Sequence, residues 1–164
     1  MILVKSRSDM WGTRRVYKGN GCYIKEFDYC DHYWYHKHIK MVDTMNPGYY
    51  INTFYSTTRM TFIMKTVPGV NAKTLGSGIK FVKRVLKFVH NNIQETGVLG
   101  HGDWALENII VNGNDMQMID WDACAVMTKE EKLNKAYHDL KKDFEKKGLR
   151  SFDNIWRNCN GAKV

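Results

Sequence analysis

The sequence predicts an α+β fold in two parts: an antiparallel, β-rich part over residues 1–67 and a mainly helical part over 68–164. Three observations carry this. Strand-like runs flank Gly19-Asn20-Gly21, and Asn-Gly between such runs is a strong hairpin signal because its turn needs positive φ. From Ile79 the apolar residues Val82, Leu86, Val89 and Ile93 follow at alternating intervals of three and four, the period of one helical face. A second hairpin pattern, Ile109–Val111 and Met116–Ile119 around Asn112-Gly113-Asn114-Asp115, sits inside the helical half.

The elements follow in order. Ile2 to Lys5 reads as a strand, Ser6 to Gly12 as a polar, flexible connection, and Thr13–Lys18 and Cys22–Phe27 as the next two strands of a meander. Asp28 to Met45 is expected to be a helix, capped by Asp28 or Asp31 and stopped by Asn46-Pro47-Gly48. Tyr49–Tyr55 and Arg59–Val67 are again strands, and a linker is expected near 65–76. Ser77 or Gly78 opens the amphipathic helix, which Phe81, Val85 and Phe88 widen and which ends near Thr96-Gly97. A charged helix over Thr128–Gly148 and a short piece with Phe152, Ile155 and Trp156 close the chain.

Composition bounds the function. At 164 residues and 43% hydrophobic content, a chain can bury roughly 70% of its unfolded surface and needs neither disulfides nor a metal for a core. Its 25 Lys+Arg against 17 Asp+Glu give +8, which favours an anionic partner: phosphate, nucleotide, nucleic acid or an acidic surface. No apolar run is long enough for a membrane span, and MILVKSRSD lacks the apolar core of a signal peptide. Cys22, Cys30, Cys124 and Cys159 form no C-x-x-C pair, so reduced thiols and a cytoplasmic setting are expected.

The stretch HGDWALENIIVNGNDMQMIDWD, residues 101–122, carries the chemistry. Phosphoryl transfer needs nucleotide phosphates and Mg²⁺ held in line with a hydroxyl. It uses hard oxygen ligands for the metal and a further carboxylate to orient the hydroxyl and take its proton. Asp103 on a loop, Asn108 five residues on, and Asp120 after a hairpin supply those three groups. Asp122, two residues further, fits a place beside the metal or a surface role equally well.

In these residues the chain resembles the protein-kinase-like phosphotransferases. H-G-D-x-x-x-x-N followed by I-D-W-D looks like the version in aminoglycoside phosphotransferases and choline kinases, where protein kinases have H-R-D-x-x-x-x-N and D-F-G. The resemblance implies a two-lobed kinase-like fold with an antiparallel β N-lobe, a reduced, mainly helical C-lobe, and a hinge at about 64–70. It makes Asp103 the catalytic base or hydroxyl-orienting residue, Asn108 and Asp120 Mg²⁺ ligands, and His101 a support of the loop. Lys25, in Cys22-Tyr23-Ile24-Lys25, stands where the third-strand lysine contacts the nucleotide phosphates. Ser6 to Gly12 would cover the phosphates through backbone N–H groups helped by Ser6 and Ser8, with Gly12 its one glycine. Backbone groups of Lys65, Thr66 and Val67 would read the adenine edge. The implied cofactors are ATP and Mg²⁺, and the implied partner is a hydroxyl acceptor, small molecule, sugar or protein.

Two departures stand out. Kinases pair the strand lysine with a glutamate on the next helix, but residues 27–44 contain none; Asp31, Asp43 and Glu26 are the substitutes. Only 44 residues follow Asp120, with nothing like an activation segment ending A-P-E. The rival reading is a catalytically inactive kinase-like module that binds protein or nucleic acid. Intact Asp103, Asn108 and Asp120 favour the enzyme, and nucleic acid is not the favoured partner.

Other patterns lead less far. Gly69 to Thr74 brushes the P-loop pattern, but Ala72 replaces the glycine before Lys73. His32 and His36 share a helical face and with Cys30 and His38 form a dense cluster, yet lack the further ligands of a metal site. Aromatic and basic residues mingle in Tyr29–Lys40 and Tyr49–Arg59, more in keeping with a core than a nucleic-acid surface.

Overall fold

The computed structural model describes residues 1–9, 12–29 and 31–159. The chain divides into two compact units, Met1–Thr66 and Val67–Val164.

The first unit is a five-stranded antiparallel sheet with one helix on it. Its strands are β1 (Ile2–Asp9), β2 (Gly12–Lys18), β3 (Cys22–Phe27), β4 (Tyr50–Tyr55) and β5 (Met60–Lys65), in the order β1-β2-β3-β5-β4. The Gly19-Asn20-Gly21 turn forms as expected: the Gly19 N–H donates to the Cys22 carbonyl at 2.9 Å, and Gly21 takes φ +72°. Helix α1 (His32–Met45) is capped by Asp31, whose carboxylate accepts from the Trp34 N–H at 2.8 Å. Of the two acids expected as caps, Asp31 is the one used. The helix buries Tyr35, His38 and Val42, spaced three and four apart on one face, against Phe27, Met60 and Phe62. Phe62 is the hub: Phe27, Tyr35, His38 and Tyr50 hold rings 5.1–5.7 Å from it. Burial of a ring of this size contributes about 1.5–3 kcal/mol.

One expectation is overturned here. Ser6 to Asp9 is not a flexible connection; it continues β1, with Ser6 opposite Arg15 and Ser8 opposite Thr13. Polar side chains suit this strand because it lies at the sheet edge with both faces exposed, so no apolar alternation marks it. Residues 10 and 11 lie outside the described residues.

The second unit packs its other two helices against α2 (Ile79–Glu95). Its apolar face buries Val82, Val85, Leu86, Val89 and Ile93. Ile79, expected on that face, is instead exposed, because it sits at the first helical position after the Gly78 cap. Helix α3 (Lys129–Lys146) begins with a reciprocal cap between Thr128 and Glu131 and buries Lys132, Ala136, Leu140 and Phe144, every fourth residue. Helix α4 (Phe152–Cys159) adds Phe152, Ile155 and Trp156. Lys132 is the odd member of this core. Its ammonium donates to the carbonyls of Ile93 and Gly97 and to the Thr96 hydroxyl, closing the negative end of α2. Burial lowers its pKa.

Two small sheets complete the unit. Strands β8 (Ile109–Asn112) and β9 (Asp115–Met118) form the second hairpin, and β6 (Val70–Asn71) pairs alongside, Val70 opposite Val111. β7 (Leu99–Gly100) pairs with β10 (Ala125–Val126). The residues from 70 onward are therefore not linker. Gly69 at φ +129° lets its backbone pass so close to the Val111 carbonyl that a Cβ would overlap it. The near-P-loop stretch is a strand and a single helical turn, with Lys73 paired to Glu107 at 2.6 Å. No helix among the described residues is long and apolar enough to cross a membrane. Cys22, Cys124 and Cys159 are free thiols, and Cys30 lies outside the described residues.

Candidate functional site

Residues 99–126 fold as a closed loop. β7 and β10 zip its two ends together, placing Gly100 opposite Ala125. Between them run the segment 101–105, a helical turn at Leu106–Asn108, the β8–β9 hairpin, Ile119-Asp120, and a second helical turn at Trp121–Ala123. This topology brings Asp103, Asn108 and Asp120 into one framework although 17 positions separate the first from the last.

Hydrogen bonds tie the three positions. The Asn108 amide donates through Nδ2 to the Asp103 carbonyl at 3.2 Å. The Ile119 N–H, one residue before Asp120, donates to the Asn108 carbonyl at 2.8 Å. His101 Nε2 donates to the Ile119 carbonyl at 2.9 Å; a carbonyl can only accept, which fixes that nitrogen as the protonated one. The Asp103 carboxylate accepts from the Ala105 N–H at 3.3 Å. Asn108 is buried, while Asp103 and Asp120 are half-buried. Asp120 takes φ +61°, the one left-handed non-glycine among the described residues. Such a conformation costs roughly 1–2 kcal/mol and persists only where its surroundings enforce it.

His101 is fully buried between Trp121, 4.5 Å away between ring centres, and Trp104 at 6.3 Å. Burial pushes its pKa down to about 4, against weaker opposing pulls from the Ile119 carbonyl and the charges of Asp103 and Asp120. The imidazole is neutral at pH 7 and works as a strut. Gly102 at φ +79° lies against the Ala123 carbonyl, where any Cβ would overlap it. That close approach is why glycine stands between His101 and Asp103. Burial, and then Asp122, push the Cys124 thiol up to about 12, so it is no nucleophile.

Two residues of the framework escape sequence reasoning. Asp139 and Asp143, one turn apart on α3, accept the N–H groups of Trp104 at 3.0 Å and Leu106 at 2.8 Å. They hold the loop on either side of Ala105. Read along the chain they look like part of a solvated, mixed-charge helix face. Their four-residue spacing shows that both point the same way, but no sequence signal says at what.

The remaining candidates lie in or beside the first unit. Lys25 is buried on β3, opposite Phe62 and therefore on the sheet face that α1 covers. The three acids weighed as its partner have other bonds: Asp31 caps α1, Asp43 accepts from the Gly48 N–H at 3.5 Å, and Glu26 meets Arg59 at 3.5 Å. Ser8 shares a hydrogen bond with Thr13 at 3.0 Å, and Gly12 opens β2 at φ +107°. In the expected adenine-reading segment, Lys65 ends β5. The Thr66 N–H donates to the Gly21 carbonyl at 3.0 Å, so this donor belongs to the sheet, and Val67 opens the second unit. His32 and His36 bond each other at 3.0 Å, while His38 is buried on the Tyr50 hydroxyl at 2.7 Å. Among the described residues no group of three or more His, Cys, Asp or Glu side chains is placed to hold a metal ion.

The oxygen donors of the second unit suit a hard cation of the Mg²⁺ kind, which takes one or two protein ligands and completes its shell with phosphate and water. With Nδ2 bonded to the Asp103 carbonyl, the Asn108 amide turns its Oδ1 outward from that bond, and Asp120 adds a carboxylate.

No protein-family model and no curated protein matches the chain. Solved structures do. A crystal structure of monomeric WbdD is similar over 91% of this chain and 45% of that one, with a TM-score of 0.61 at 12% identity. A structure of the bifunctional kinase-methyltransferase WbdD covers 70% of this chain and 30% of that chain, with a TM-score of 0.53 at 16% identity. A co-crystal of WbdD with the kinase inhibitor LY294002 covers 76% and 33%, with a TM-score of 0.52 at 16% identity. The chain thus spans less than half the length of these proteins. At such identities the likeness is one of fold, and an antiparallel sheet with helices in an α+β arrangement is consistent with a small kinase-like fold.

Proposed function

We propose that the chain is an ATP- and Mg²⁺-dependent phosphotransferase that moves the γ-phosphate of the nucleotide to a hydroxyl group. The observation that carries this is the framework joining Asp103, Asn108 and Asp120, tied by the Asn108–Asp103 and Ile119–Asn108 bonds. Its similarity in fold to a kinase-methyltransferase supports the same reading. Residues 1–67 would then be the small lobe and 68–164 the catalytic lobe, with the hinge at 64–70.

In this reading Asp103 orients the acceptor hydroxyl and takes its proton as the bond to phosphorus forms. Asn108, through Oδ1, and Asp120 hold the metal, which when bound neutralises charge on the phosphates. Lys25 would contact the nucleotide phosphates, and Ser6, Ser8 and Gly12 would help to cover them. Backbone groups of Lys65, Thr66 and Val67 would read the adenine edge. The neutral His101 moves no proton; it keeps Ile119 and so Asp120 in place. HGD and IDWD lean toward a small-molecule or sugar acceptor, as in aminoglycoside and choline kinases, with a protein hydroxyl the second class.

The test is Mg·ATP turnover against sugar, amino-alcohol and protein acceptors, comparing wild type with Asp103→Ala and Asp120→Ala. Loss of a positioned base lowers turnover by about 10²–10⁴-fold. Asp120→Ala is expected to abolish the response to Mg²⁺. A wild-type protein that neither binds Mg·ATP nor turns over with any acceptor class sinks the proposal. Binding without turnover, with steeply salt-dependent nucleic-acid affinity, supports the inactive binding module instead.

A further inference from the structure

A groove of about 900 Å³ runs between α2, α3 and α4, and none of its lining residues belongs to the catalytic framework of residues 99–126. Its floor is apolar, made by Ile93, Leu133, Tyr137 and Trp156. Its rim carries Lys83, Lys87, Lys129 and Arg157, all exposed, and among the described residues none of the four has a carboxylate within ion-pair distance. The acid on the lining, Asp153, is engaged by Lys141 at 2.8 Å and by the Tyr137 hydroxyl at 2.8 Å. The rim is thus mainly positive, with Asp153 the carboxylate that feels the charge of Arg157, over an apolar floor.

The shape narrows the occupant. On α2 the lining runs from Lys83 to Gln94, a stripe of about 16 Å at 1.5 Å per residue. That is long for a compact metabolite and matches three turns of a helix. The aromatic faces are not open stacking platforms: Trp156 packs against His90 at 5.0 Å, Tyr137 at 5.5 Å and Phe152 at 6.0 Å. Single-stranded nucleic acid needs such open faces. We propose that this groove docks an acidic amphipathic helix of a partner protein, whose apolar face meets the floor and whose Asp and Glu residues meet the rim. The proposal does not depend on the phosphotransferase reading.

The probe is a fluorescein-labelled 14-residue amphipathic peptide with Leu on one face and Glu on the other, read by anisotropy. A Lys-for-Glu peptide and an oligothymidylate of equal length serve as comparators. Wild type is expected to bind the acidic peptide and not the basic one. Lys83→Glu/Lys87→Glu is expected to weaken that binding by about tenfold or more, as rim charges steer and orient partners. Leu133→Asp is expected to weaken it as well. The pair Lys37→Glu/Lys40→Glu, on α1, changes net charge equally and is expected to leave binding intact. Circular dichroism verifies that each variant is folded. Failure of the acidic peptide to bind wild type overturns the proposal, as does equal loss in the α1 pair. Oligothymidylate bound through Lys83 and Lys87 in place of the peptide also overturns it and makes the groove a nucleic-acid surface.

Discussion

Substituting His101 by Gln should remove much of the protein's sensitivity to mild acid. His101 is fully buried, and its folded pKa is about 4 against an ordinary 6.5. The folded state therefore holds the ring neutral while the unfolded chain protonates it first. A depressed pKa on a base means that the stability it confers is fully present above about pH 6.5 and is lost as pH falls toward 4. Integrating the proton uptake of the two states from about pH 7 to pH 4.5 gives a loss of roughly 2.5 kcal/mol from this one ring. That is a large share of a domain's usual margin of about 5–15 kcal/mol. Urea unfolding of wild type and His101→Gln at both pH values isolates the term, because carboxylates titrate alike in the two proteins. Gln is expected to destabilise the protein at neutral pH through lost packing, and to lose about 2 kcal/mol less than wild type on acidification. Imidazole shifts by NMR give the same answer directly, the His101 resonance being the one missing from the variant. A wild-type and a variant protein that lose equal stability, or a His101 ring that titrates near 6.5, would refute the argument from burial.

Three further outcomes follow from the same contacts. Asp139→Ala and Asp143→Ala each leave an N–H of residues 104–106 without its acceptor; each should cost about 1–3 kcal/mol by urea unfolding, with Asn costing less because its Oδ1 still accepts. Gly102→Ala combines a strained φ with overlap on the Ala123 carbonyl and should cost more than about 2 kcal/mol in thermal unfolding. Gly113→Ala, also at positive φ but in open space, should cost only about 1 kcal/mol. Lys132→Met keeps the aliphatic stem but strips the Ile93 and Gly97 carbonyls of their donor. It should cost about 2–3 kcal/mol and raise amide exchange around residues 93–97, and unchanged exchange there would count against the capping role.

What could be read without coordinates was what is local. The Gly19-Asn20-Gly21 turn is legible because the φ it needs is written in its own residues. The candidate site is legible because Asp103, Asn108 and Asp120 lie within one hairpin-bearing stretch whose spacing carries the geometry. The failures have the opposite character. Ser6–Asp9 looked like a loop because an exposed edge strand has no buried face to impose alternation. β6, β7 and β10 are two residues each, too short for any period, yet they zip the ends of the site and bind residues 70–71 to it. Asp139 and Asp143 looked like solvated helix acids because an acceptor on α3 and a donor on residues 104–106 are more than thirty positions apart. The separation has a physical consequence. The groups proposed to do chemistry are close in sequence, whereas the struts that hold them, His101 through Ile119, Gly102 against Ala123, and the two α3 carboxylates, all reach across the fold. A substitution at a strut should therefore lower stability and turnover together. One at Asp103 should lower turnover with little loss of stability, since among the described residues its side chain bonds only locally, to Ala105. Measuring both quantities across these positions separates the residues that act from the residues that position them.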